Sequence, residues 1–231
     1  MSLPLVLIPG VAADARLWFH QIVALSLARP VTVAPLPGLP SVEEMSAHLL
    51  PHLPDRCALA GAGLGGSVAL DMLRRAPDRV AQLVLISTDP LAEAPAVAAA
   101  REARLIAART GRLAEALAQE FPAAALAPGP GRADVQALVA EMGRVRGAEV
   151  YQAQARALQR RPDHQKTLRR ALAPALVIAG GLDTLVPPRR QQFTVDMMPR
   201  AQFLQIDSAG HLPTIETPEE VSDAIETFLG A

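Results

Sequence analysis

Six short apolar runs punctuate the chain, at residues 3–8, 31–34, 57–60, 82–87, 175–179 and 202–206. They are not broken by alternating polar residues, which is the pattern of strands covered on both faces in a parallel sheet. Between most of them the apolar spacing is helical. One helix is expected to start at Ser41, where Ser41-x-x-Glu44 forms a capping box. Another follows Gly65 and Gly66 as SVALDMLRR. The last starts at TPEEV, with Thr217 as N-cap, Pro218 in the first turn and Glu220 closing a second box. This alternation predicts an α/β fold, a mostly parallel sheet of about six strands with helices on both faces.

The alternation breaks once. Residues 91–172 separate the fourth strand from the fifth, far more chain than a crossover needs. Val135, Leu138, Val139 and Met142 fall at i, i+3, i+4 and i+7, one face of a helix. PGPGR at 128–132 reads as a turn between two such helices. The expected organisation is a single domain over 1–231, with a core at 1–90 and 173–231 and an inserted helical cap at 91–172.

Composition narrows the function classes. Half of the 231 residues are hydrophobic, which suits a globular chain with a sizeable core. The formal net charge of −1 makes no electrostatic case for nucleic acid or an anionic membrane. A lone cysteine, Cys57, excludes an internal disulfide and a multi-cysteine zinc site. No apolar run approaches the roughly 18–20 residues of a membrane span. The start, MSLPLVLIPG, has no basic region and reaches Pro9-Gly10 too early for a signal peptide, so a cytoplasmic location is expected.

Functional loops of a parallel sheet gather at the carboxyl ends of its strands. Pro9-Gly10-Val11 follows the first strand and offers the Val11 N–H. A glycine-rich turn, LAGAGLGG at 59–66, follows the third. GGLDTLVPP holds Asp183 after the fifth, and SAGHLPT holds His211 after the sixth. Alone, Asp183 reads as a turn or cap residue and His211 as a loop histidine. Together, on successive strand ends, they form the pair that nucleophilic catalysis uses: the carboxylate orients the imidazole and the imidazole takes a proton.

The turn at 59–66 has two readings. As Gly61-x-Gly63-x-x-Gly66 it matches a dinucleotide-binding fingerprint, with Asp89 near the place of the ribose-binding acid. That fingerprint normally sits on the first strand of its unit, whereas two strands come before it here, and it leaves Asp183 and His211 without a role. As Gly61-Ala62-Gly63-Leu64-Gly65-Gly66 it matches a nucleophile elbow, GxSxGG, with glycine in place of serine.

On the second reading the chain resembles the α/β-hydrolase family. APDRVAQLVLIST (76–88) and PALVIAGGLDTLVPP are also similar to it, and the likeness covers everything except the cap. APLPGLPS (34–41) is only a loose version of the family's Asp-x-x-Gly-His-Gly-x-Ser loop. The resemblance implies a compact member without the two amino-terminal antiparallel strands. It also implies hydrolysis of a small ester, lactone or other acyl compound, with no cofactor and no metal. Asp183 and His211 would be catalytic, Gly63 would hold the nucleophile position, and Val11 and Leu64 would supply the oxyanion-hole N–H groups. A serine mechanism cannot run with Gly63, whether that glycine is natural or introduced. The routes left are a water activated by His211, or a non-catalytic ligand-binding protein on the same fold. Ser67 lies inside the helix, and its hydroxyl is not expected to point at the oxyanion hole.

Other groups have plainer readings. Glu44, His48 and His52 share a helix face, but Pro51 ends that helix and no further ligand is near, so a solvated end is expected. The cap arginines Arg101, Arg104, Arg109 and Arg112 could meet an acidic substrate, but a solvated face is the reading expected. Cys57 reads as a buried small hydrophobe, and Trp18 as packing beside the first helix.

Overall fold

The computed structural model describes residues 2–230. The strands are β1 (Leu5–Ile8), β2 (Val31–Val33), β3 (Cys57–Ala62), β4 (Val80–Ile86), β5 (Ala175–Gly180) and β6 (Ala201–Ile206). They form one parallel sheet in the order β2-β1-β3-β4-β5-β6. All six apolar runs are therefore strands of one sheet. The inner ones meet the expectation of cover on both faces: β1, β3 and β5 are buried at every position. Each fully buried aliphatic side chain there contributes about 1.5–3 kcal/mol relative to exposure. The edge strands differ. Thr32 of β2 and Gln202 and Gln205 of β6 are exposed, because an edge strand has a neighbour on one side only.

The α-helices are α1 (Phe19–Leu25), α2 (Val42–Leu49), α3 (Leu64–Arg75), α4 (Pro95–Arg109), α5 (Leu113–Glu120), α6 (Arg132–Arg146), α7 (Ala148–Gln159), α8 (Gln165–Arg170), α9 (Pro188–Met197), α10 (Pro213–Glu216) and α11 (Pro218–Gly230). α2 starts as expected: the Ser41 hydroxyl accepts the Glu44 N–H at 3.1 Å. The Thr217 hydroxyl instead turns back and donates to the Pro213 carbonyl at 3.3 Å, because α10 ends immediately before it.

α3 is the central helix. Leu64 to Leu73 are all buried, and the helix packs on β3, α2 and α8. Its one buried charge, Asp71, accepts from Ser46 of α2 and from Arg74 and Arg75 at the helix end. Those two arginines also suit the negative end of the helix dipole. Cys57 is buried at the start of β3, and burial pushes its thiol up to about 11, so it is inert at neutral pH. Trp18 is fully buried ahead of α1, as expected.

α4 to α8 occupy the interval between β4 and β5. Val135, Val139 and Met142 of α6 turn inward, as the spacing predicts, with Leu138 half-buried beside them. No helix among the described residues is long and apolar enough to cross a membrane.

Candidate active site

The sheet order reverses direction between β1 and β3, and the crevice at their carboxyl ends is where ligands bind in open α/β sheets. Gly63 closes β3 there at φ 51° and ψ −114°, a backbone conformation that strains any residue with a Cβ. A Cβ placed on Gly63 would meet no other atom within 4 Å, so the crevice has room for a side chain at this position. Its N–H donates to the Ile86 carbonyl at 2.9 Å, which ties the turn to β4. Two residues on, a Cβ on Gly65 would strike the carbonyl oxygens of Ile8 and Pro9. Glycine at 65 thus lets the start of α3 press against the end of β1.

That approach sets Val11 and Leu64 on the wall of one cavity. The backbone N–H groups of these two residues find no acceptor among the described residues. Leu64 is the first residue of α3, where the helix dipole is positive. The Val11 turn is held from the far side. Ala12, at φ 54°, donates its N–H to Gln154 Oε1 of α7 at 2.7 Å, and Gln154 Nε2 donates to the Leu36 carbonyl at 3.0 Å.

Asp183 and His211 come together. Asp183 Oδ2 lies 2.9 Å from His211 Nδ1, while Oδ1 accepts the N–H groups of Leu185 and Val186 at 2.8 and 2.9 Å. A carboxylate only accepts, so Nδ1 carries the proton and Nε2 keeps its lone pair. Burial alone pushes the His211 imidazolium down. Asp183, by charge and by hydrogen bond, reverses this with help from Glu216 and Glu120, and the net shift is upward. His211 also stands on the cavity wall beside Gly63.

Three supporting groups carry no motif in the sequence. Glu216 accepts the N–H groups of Gly210, Leu212 and Ala127, so one carboxylate fixes both sides of the histidine. The His211 N–H itself donates to the Ala125 carbonyl at 2.7 Å. Gln154 has only its place on a helix, and neither it nor Glu216 is recognisable before the chain folds. Ser87 is different, because the strand-end rule applied to β4 points to it. It is buried at φ 47°, lines the cavity, and its hydroxyl has no partner among the described residues. Ser67 is buried within α3 and is not part of the cavity wall.

The cavity measures about 270 Å³, and its roof comes from the helical segment through Val97, Phe121, Val139, Met142 and Leu158. Its wall is more charged than the sequence suggested. Arg101 and Arg104 do not belong to a solvated face: Arg101 is 5% exposed, and both line the cavity. They turn inward because α4 packs against α5 and α7, where carboxylates meet them. Arg109 and Arg112 are exposed, as expected, and Arg112 pairs with Glu115. Asp89, the acid a dinucleotide site would need, accepts from Leu91 N–H and from Arg161. Glu44 in the first turn of α2, His48 in its last turn and His52 just beyond it are all exposed.

Residues 5–224 match the model of a family described as the alpha/beta hydrolase family. A pimeloyl-acyl-carrier-protein methyl ester esterase of Aromatoleum aromaticum is 31% identical to the chain, covering 96% of each. A thermophilic esterase from Thermogutta terrifontis superposes with a TM-score of 0.86 at 27% identity, over 99% of this chain and 90% of that one. An enol-lactonase from Burkholderia xenovorans shares the fold with a TM-score of 0.89 at 22% identity, over 100% of this chain and 92% of that one.

Proposed function

Since this chain belongs to the alpha/beta hydrolase family, we propose that its cavity takes a small ester, lactone or other acyl compound and that His211 turns a water on it. The observation that carries this reading is the part-buried 2.9 Å pair of Asp183 and His211, with His211 on the same cavity as Gly63. A water beside Gly63 gives its proton to His211 Nε2 as its oxygen bonds to the acyl carbon. The carbonyl oxygen becomes an oxyanion facing the N–H groups of Val11 and Leu64. The intermediate collapses, the bond to the leaving oxygen breaks, and His211 returns the proton to that oxygen. Asp183 stabilises the imidazolium in between without taking the proton. No metal and no organic cofactor enters the reaction.

Without the hydroxyl the reaction is slow. Removing the nucleophile from a serine protease costs about 10⁶ in turnover and leaves roughly 10³–10⁴ over water. A panel of short-chain aryl esters tests the reading. Gly63→Ser is expected to raise kcat/KM by about 10² or more, since the added side chain has room. The same substitution carries the strain of φ 51° and lowers stability by about 1–3 kcal/mol in a denaturant titration. The weak activity of the parent is expected to vanish in His211→Ala, and an unchanged rate would defeat the water mechanism.

A second reading is a non-catalytic ligand-binding protein, favoured by the lack of a hydroxyl at 63. Intact ligand binding with no gain in Gly63→Ser would select it. The dinucleotide reading loses support because Asp89 is held by Arg161 and Leu91.

A further inference from the structure

One wall of the cavity carries seven charged side chains in an unbroken alternating series. Arg190 Nε approaches Asp89 at 3.8 Å, and Asp89 meets Arg161 at 3.2 Å. Arg161 meets Glu93 at 3.0 Å, and Glu93 meets Arg101 at 2.6 Å. Arg101 meets Glu120 at 2.6 Å, and Glu120 approaches Arg104 at 3.4 Å. All seven line the cavity. The series begins and ends on arginine, so four guanidinium groups face three carboxylates and one positive charge is in excess.

The interior of the series is satisfied. Arg101 gives Nε and Nη2 to Glu93 and Nη1 to Glu120, while Tyr151 donates its hydroxyl to the other Glu120 oxygen at 3.0 Å. Burial pushes the Glu93 carboxyl up, but Arg101 and Arg161 outweigh it and hold it below the usual carboxylate value, so it stays ionised. The excess therefore lies at the ends. Arg190 is 44% exposed, so its guanidinium is open to solvent. Arg104 is 13% exposed; its Nη1 donates to the Gln119 carbonyl, and its Nε, 3.4 Å from Glu120 Oε2, makes no hydrogen bond among the described residues. Glu120 is already shared by Arg101 and Tyr151, so Arg104 is the least neutralised guanidinium of the wall and keeps charge for a ligand in the cavity.

We propose that Arg104 forms an anion subsite of this cavity, so that the preferred acyl compound carries a carboxylate at the end remote from the bond to be cleaved. This rests on reading the cavity as the acyl site. A monoanion neutralises the excess of one, whereas a phosphate dianion would overshoot it. The planar guanidinium also suits a carboxylate in geometry.

The probes are monomethyl adipate and its neutral analogue, in which the free carboxyl is a carboxamide. Calorimetric titration of the unaltered protein is expected to show at least about tenfold tighter binding of the acid. The preference should shrink as salt is raised. Arg104→Gln is expected to remove the preference and leave the carboxamide's affinity unchanged; Arg104→Lys should keep part of it. Equal affinity of the two probes for the unaltered protein would overturn the proposal with no variant needed. So would a preference that survives Arg104→Gln in a protein whose melting temperature shows it folded. Methanol release, scored separately, tells the two readings apart. A preference without turnover removes the hydrolase reading and keeps the subsite. Turnover of both esters without a preference does the reverse.

Discussion

His211 sets the pH behaviour. Its imidazolium is favoured in the folded protein, so its folded-state value lies above the usual 6.5. A base must be neutral to act, so kcat/KM of Gly63→Ser should rise with pH through that raised value, with its acid limb above pH 6.5. Stability runs the other way. A group whose folded-state value is raised contributes fully below its unfolded value, and the contribution is lost as pH rises through the folded one. The stability gap between the parent and His211→Gln should thus be wider at pH 6 than at pH 9 in urea titrations. A gap that widened with pH would mean that Asp183 does not favour the charged ring.

Among the elements, α7 does more than roof the cavity. Through Gln154 it holds the Ala12 N–H, one residue from the N–H expected to face the oxyanion, and it holds the Leu36 carbonyl. Gln154 touches no reacting atom in the proposed mechanism; it is a positioning residue. Gln154→Leu should strand the Ala12 N–H and let the Val11 turn move. In the Gly63→Ser background kcat is expected to fall by about 10-fold or more while KM stays within about threefold, because an N–H aimed at the oxyanion works mainly in the transition state. A change confined to KM would show that the residue only shapes the pocket. The edge strands teach a related lesson about elements. Thr32, Gln202 and Gln205 stand exposed in β2 and β6, and those are the strands with one neighbour each.

In the whole molecule, the charged series binds the helical segment together and to the sheet. Arg101 of α4 joins Glu93, ahead of that helix, to Glu120 at the end of α5, and Arg161 carries the connection to Asp89 beyond β4. Arg101→Met would leave two buried carboxylates short of a partner, at a cost of about 3–5 kcal/mol. Urea titration should show that loss, and limited proteolysis should cut first within 91–172. Cleavage elsewhere, or an unchanged midpoint, would mean the series adds little to cohesion.

The sequence by itself determined the strands, the glycine turn and the residues at the strand ends. Strands buried on both faces need unbroken apolar runs, and a tight approach of α3 to β1 needs glycine at 65, so those features are local and visible. The spacing of 91–172 likewise announced helices where α4 to α8 stand. What only the tertiary structure decided was which polar groups meet. Asp183 and His211 are 28 residues apart and bond across two loops. Glu216 and Gln154 bear no motif, since their work is to accept or give hydrogen bonds at points set by distant backbone. Arg101 and Arg104 of α4 show the same limit: a charged residue on a helix looks solvated until the helices packed against it supply the carboxylates that take it inside.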